Sequence, residues 1–308
     1  LKDEARHELA SLDALGGAIE AIGYMKSRLV ESNTQRLNKI ASKETTVVGV
    51  NKFTTGEPSP LTAGDGGIMT VDPAVEQDQV DRLNAWRSAR DDASVATALR
   101  SLRAAARAGE NIMPASIAAA KAGVTTGEWA AQMRLIYGEY RGPTGVAHGV
   151  SNQSEGLDEI RDAVDIVSQK LGRRLGFLMG KPGLDGHSNG AEQIAARARD
   201  CGMKIAYDGI RLTPEQLIAS VQEHKPHVIG LSILSGSHIP LVADMMKRLQ
   251  LAQLDNIPVV VGGIIPQEDM MRLTAMGVAK IYTPKDFELN AIMMDIVSLA
   301  DPTDLAAE

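Results

Sequence analysis

The sequence predicts an α/β fold: a doubly wound, flavodoxin-like sheet of five parallel strands, preceded by a mostly helical segment. Three observations predict it. The second half alternates short apolar runs with amphipathic stretches, the signature of β-α units. Two of the runs, Val228-Ile229-Gly230-Leu231 and Val259-Val260-Val261, are apolar throughout, as strands covered on both faces are. Thr213-Pro214-Glu215-Gln216 sets a capping residue before a proline at the first helical position.

The strands fall at 174–179, 203–207, 227–232, 257–261 and 280–283. Helices fall between and after them at 190–200, 213–223, 239–251, 266–276 and 286–299. These lengths give a sheet of order 2-1-3-4-5. The first half is less regular. Residues 1–40 read as helical with Gly16-Gly17 inside the pattern, and Thr46 to Phe53 as one strand. Residues 54–70 are a Gly/Pro/Ser/Thr loop, and 74–108 and 114–140 are helical. Gly, Pro, Ser and Asn crowd residues 141–156, the best linker in the chain. The expected division is 1–141, a linker over 142–166, and an α/β domain over 167–302.

Length and composition bound the function. A chain of 308 residues holds roughly two domains. A net charge of −7 argues against nucleic acid, which is bound by basic surfaces. No apolar run approaches the length that spans a bilayer. The single cysteine, Cys201, excludes an internal disulfide or a cysteine-rich metal cluster and fits a reducing cytoplasm. Its place at a helix end before Gly202 reads as core. The chain opens Leu1-Lys2-Asp3-Glu4 rather than on Met, as a piece cut from a longer protein would.

The most informative stretch is Lys181-Pro-Gly-Leu-Asp-Gly-His-Ser-Asn-Gly190. It follows the first strand, at the carboxyl edge where open α/β sheets bind ligands. Asp185 stands two residues before His187 and can hold one ring nitrogen, fixing the tautomer and leaving the other nitrogen for a metal. Lys181 can pair with Asp185, making a relay of Lys181, Asp185 and His187. Small residues stand at the other strand ends: Ser232, Leu234 and Gly236 after the third, Gly262-Gly263 after the fourth, Tyr282-Thr283 after the fifth. Together they leave a slot for a flat ligand. Gly176, Gly180 and Gly183 do not have the dinucleotide-binding spacing. Of the other histidines, His7, His148 and His224 read as solvated and His227 as partly buried structure. His238 is a candidate to face the ligand.

Asp185, His187 and Gly190 stand in the Asp-x-His-x-x-Gly pattern of proteins that bind cobalamin with a histidine on cobalt. With Gly180–Gly190, Leu234–His238 and Tyr282–Asp286, the second half resembles the cobalamin-binding domain of the acyl-CoA mutases. Val48–Phe53, Val71–Pro73, Leu83–Asp92, Gly109–Pro114 and Thr126–Glu128 resemble the end of the mutase catalytic barrel and its helical connector. Among the mutases, Gly180–Gly190, Leu234–His238 and Tyr282–Asp286 look most like the branch acting on ethylmalonyl-CoA. Methylmalonyl-CoA mutases carry an Ala-Ala-Gly-His type segment near 235–238 and Gly-Pro-Gly-Thr near 283–286, and this sequence departs at both places.

The resemblance implies adenosylcobalamin as cofactor, with His187 on cobalt and Asp185, Gly186, His187, Ser188, Gly190, Ser232, Leu234, Gly236, Gly262, Gly263, Tyr282 and Thr283 around it. It implies a radical 1,2-rearrangement interconverting ethylmalonyl-CoA and methylsuccinyl-CoA. The acyl-CoA substrate would bind in barrel strands outside this chain, the full-length protein would be a homodimer, and no catalytic residue beyond the ligand relay would lie here. Two alternatives stay open: methylmalonyl-CoA mutase, and a non-catalytic cobalamin carrier or sensor.

Overall fold

The computed structural model describes residues 1–55, 72–146, 156–286 and 288–303. The chain forms two compact units, Glu57–Tyr140 on the one hand and Leu1–Gly56 with Arg141–Glu308 on the other.

The larger unit opens with α1 (Lys2–Ala14) and α2 (Ile22–Ala41). The sequence pattern had run these together. They are broken because Gly16 and Gly17 both take positive φ, 98° and 94°, which ends a right-handed helix. Thr46–Phe53 is not a strand. Val48 and Lys52 make only an isolated bridge around a turn. The Asn51 side chain closes it, accepting from Val47 N at 2.8 Å and donating to Ile40 O and Thr45 O, both at 2.8 Å. A local side-chain network has outcompeted extension where, among the described residues, no neighbouring strand offers a ladder.

The smaller unit is helical: α3 (Pro73–Ala89), α4 (Asp92–Arg107), α5 (Met113–Lys121) and α6 (Thr126–Tyr137). Asp91 caps α4, and Thr125 with Glu128 forms a reciprocal capping box on α6. Arg90 clamps Glu128 through both carboxylate oxygens at 2.8 and 2.7 Å. These bonds outweigh burial and hold the Glu128 carboxyl down at about 2.

The rest of the larger unit is the α/β domain. It starts with α7 (Leu157–Lys170), which begins within the stretch expected as linker; residues 147–155 of that stretch, His148 among them, lie outside the described residues. The strands are β1 (Gly176–Gly180), β2 (Lys204–Ala206), β3 (Val228–Ile233), β4 (Val259–Gly263) and β5 (Lys280–Tyr282). All pairings are parallel and the order is β2-β1-β3-β4-β5, as the sequence predicts. The connecting helices are α8 (Asn189–Asp200), α9 (Pro214–His224), α10 (His238–Leu251), α11 (Gln267–Ala275) and α12 (Leu289–Leu299). Thr213 caps α9 as expected, with Gln216 closing the box.

Every residue of β1 and β3 is buried, so alternate side chains feed two cores. Phe177 and Met179 pack with α7, α8 and α12; Leu178, Ile229 and Leu231 pack with α9, α10 and α11. Gly230 lets the Phe177 ring lie across β3: a Cβ there would stand 2.6 Å from the ring's Cζ. Cys201 is buried in the first core. His227 is structural, accepting from Gly176 N at 2.8 Å through Nδ1. Among the described residues no helix is long and apolar enough to cross a membrane.

Candidate functional site: a histidine loop beside an apolar cleft

The carboxyl ends of β1 and β3 carry the polar part of the site. Past Gly180 the chain is tied to the loop after β2: Leu212 N donates to Lys181 O at 3.1 Å, and Gly183 N to Leu212 O at 3.0 Å. This directs the Lys181 side chain inward, where none of it is exposed. Its Nζ lies 2.7 Å from Asp185 Oδ2 and 3.4 Å from Ser232 O. Asp185 accepts further from Leu234 N at 3.2 Å and His187 N at 2.9 Å, and its Oδ1 lies 2.6 Å from His187 Nδ1.

Burial alone would raise the Asp185 carboxyl. The Lys181 ammonium and the His187 amide and ring outweigh it and hold the group well below the carboxylate range. An ionised carboxylate only accepts, so Nδ1 of His187 is the donor, and in the neutral ring Nε2 is the nitrogen with the lone pair. Nε2 makes no hydrogen bond among the described residues, and the His187 side chain is 77% exposed. The loop thus presents one oriented, exposed imidazole backed by a buried carboxylate and a buried ammonium, which brings Lys181, Asp185 and His187 together in the order their spacing suggests.

Beside this loop a cleft of about 380 Å³ runs over the carboxyl ends of β1, β3, β4 and β5. Of the residues expected to line it, Gly190, Ser232, Leu234, Gly262, Gly263, Tyr282 and Thr283 do. Asp185, His187 and Leu234 border an adjoining cleft, so Leu234 belongs to both. Gly186, Ser188 and Gly236 line neither cleft. Gly186 packs under Arg211, and the Ser188 hydroxyl accepts from Lys26 at 3.4 Å. His238 also lines neither cleft: its Nε2 bonds Asp269 Oδ2 at 2.9 Å, joining α10 to α11.

Sequence reasoning missed part of the lining. Asn33 and Leu37 of α2, and Leu289, Ile292 and Ile296 of α12, complete the walls. The amphipathic pattern of α2 shows an apolar face but not what that face meets. The structure fixes it through Thr34 Oγ1 donating to Gln193 Oε1 at 2.9 Å and Lys26 paired with Glu192 at 2.6 Å.

The chemistry of this donor set can be tested against a corrinoid. The exposed His187 nitrogen would suit a bond to cobalt, with the carboxylate partner that metal-bound histidines carry. The apolar cleft suits an aromatic heterocycle. Gly262 is bare on the cleft side, with nothing within 4 Å of where a Cβ would stand; a larger side chain would fill that space. The residues fit.

Comparison with known proteins agrees. Residues 1–139 match the methylmalonyl-CoA mutase family model, and residues 176–286 match the B12 binding domain. Over these two stretches the chain is similar to acyl-CoA mutases. It is 65% identical to the ethylmalonyl-CoA mutase of Cereibacter sphaeroides over its whole length, covering 47% of that protein. It is 52% identical to the ethylmalonyl-CoA mutase of Methylorubrum extorquens over 98% of this chain and 44% of that one. Identity to the methylmalonyl-CoA mutase of the same Cereibacter is 31%, over 92% of this chain and 40% of that one. The chain therefore spans about half the length of the curated relatives it matches. Its B12 binding domain, which coincides with the sheet and its loops, makes cobalamin the cofactor.

Proposed function

We propose that this chain holds adenosylcobalamin for a carbon-skeleton mutase that interconverts ethylmalonyl-CoA and methylsuccinyl-CoA. One observation carries the reading: His187 Nδ1 lies 2.6 Å from an Asp185 carboxylate that Lys181 neutralises from beneath, in a cleft that shares Leu234 with the apolar one. The branch assignment is supported by the twofold gap in identity between the ethylmalonyl- and methylmalonyl-CoA mutases of one organism.

Bound adenosylcobalamin supplies a carbon radical by homolysis of its cobalt–carbon bond, chemistry that belongs to the cofactor. The chain supplies orientation. Asp185 holds the proton of His187 on Nδ1, so Nε2 is the ligand. Lys181 keeps Asp185 ionised out of solvent, which fixes how strongly the imidazole donates. Ser232, Gly262, Gly263, Tyr282 and Thr283 receive the nucleotide tail and exclude water from it. We assign residues 1–141 to the mutase barrel and its connector, 142–166 to the linker with the first turns of α7, and 167–302 to the cobalamin domain. A cytoplasmic homodimer acting on acyl-CoA is the setting that fits the family.

The Co(II) form of the bound cofactor tests the ligand. In electron spin resonance, axial imidazole splits each cobalt line into three, and nitrogen-15 histidine changes this to two. His187→Ala removes the splitting. A splitting pattern indifferent to the label overturns the assignment. Turnover by the natural protein offered ethylmalonyl-CoA and methylmalonyl-CoA in parallel tests the branch, and preference for methylmalonyl-CoA overturns it.

A further inference from the structure

Lys280 and Tyr282 are two apart on β5 and share a face of the sheet; Ile281 between them packs in the opposite core. On that shared face both meet one carboxylate of α12. Lys280 Nζ stands 2.5 Å from Asp295 Oδ1, and the Tyr282 hydroxyl donates to Asp295 Oδ2 at 3.1 Å. Burial first, and then the Asp295 charge, raise the phenol's pKa, so the hydroxyl stays a donor.

The Tyr282 ring is a wall of the apolar cleft. It also borders a second, smaller cleft of about 250 Å³, whose other residues include Lys285, Glu288 and Ala291. Tyr282 therefore borders two clefts while packing against the first core. Its strand gives little help, since β5 is three residues long and among the described residues pairs only with β4. A side chain bordered by two clefts is held less tightly by packing than one enclosed in a core. The bond to Asp295, braced by Lys280, locates it.

We propose that Asp295 is a positioning residue that sets the width of the cleft and thereby the preference for corrinoids carrying a heterocyclic lower base. The inference rests on the cobalamin reading above and deepens it. Without the carboxylate the ring can swing into the smaller cleft, and the base loses its facing wall. His187 lines neither of these two clefts.

The experiment compares two probes, aquocobalamin and diaquocobinamide, which lacks the nucleotide tail. Each is titrated by absorbance into wild type, Asp295→Ala, Asp295→Asn and Tyr282→Phe. Asp295→Ala is expected to weaken cobalamin about tenfold, the scale of one hydrogen bond to a charged group, and to leave cobinamide unchanged. Tyr282→Phe moves the same way. Asp295→Asn keeps an acceptor oxygen and restores the preference. Tyr282→Phe deletes a single oxygen, so it carries the test even if Asp295→Ala does not fold. Equal losses for both corrinoids, or none for either, overturn the inference. A wild type that binds neither corrinoid overturns the cobalamin reading and this inference with it, whereas normal His187 ligation with unaltered selectivity in the variants overturns this inference alone.

Discussion

Lys181 and Asp185 form an ion pair 2.7 Å long with side chains 0% and 4% exposed, one helical turn's worth of sequence apart but not on a helix. Breaking a buried pair on one side leaves a charge without a partner, which costs far more than the intact pair contributes. Lys181→Met is therefore expected to destabilise the apoprotein by about 3 kcal/mol, the low end for a broken buried pair, because two backbone amides still serve Asp185. The double variant Lys181→Met/Asp185→Asn recovers most of this. His187→Ala, on an exposed ring, shifts apoprotein stability by less than about 1 kcal/mol and yet removes cobalamin ligation. Urea unfolding of the four proteins checks the set.

Two adjacent glycines are expected to behave in opposite ways. Gly262 faces open cleft, so Gly262→Val folds and blocks the nucleotide tail. A Cβ on Gly263 would lie 1.8 Å from Ile233 O, backbone that cannot move without unpairing β3 from β4. Gly263→Ala is expected to lower the thermal midpoint instead. Circular dichroism melting with cobalamin titration separates the two, and unimpaired binding by folded Gly262→Val would place the tail elsewhere.

His227 gives a pH dependence. Burial, with Arg173 nearby, lowers its pKa from 6.5 to about 4, and its Nδ1 is committed as an acceptor. The unfolded chain thus binds more protons between these values, and stability falls as pH falls from about 6.5 toward about 4. Above 6.5 the contribution is complete. Urea midpoints across that window are expected to decline in wild type and to decline less in His227→Asn, which can accept the same amide without titrating.

Cys201 is expected to be silent toward thiol reagents in the native protein. Burial raises its thiol to about 11, and the reactive form is the thiolate. Modification at pH 8 should follow the rate of opening and become complete in denaturant. Fast labelling of the folded chain would contradict the packing around α8.

The sheet was legible because its information is local: continuous apolar runs for buried strands, caps and prolines for helix starts, and small residues where strands meet a ligand. Asp185 and His187 were legible for the same reason, two residues apart in one loop. What stayed hidden depends on partners distant in sequence. Nothing in Asn33 or Leu37 announces that α2 reaches the cleft, because the decisive bond runs from Thr34 to Gln193. His238 reads as a ligand candidate until Asp269, on another helix, is seen to hold it. Thr46–Phe53 has the composition of a strand, yet strand formation needs a neighbour and Asn51 offers a closer set of bonds.

Leu234 borders both the cleft at His187 and the apolar cleft, while its amide serves Asp185. Gly262 can drift and alter one cavity, and His187 can be exchanged and alter the other. A replacement at 234 has to satisfy both shapes simultaneously. Tolerance at that position should accordingly be the product of two independent filters, and substitutions on either side of it should combine non-additively with it.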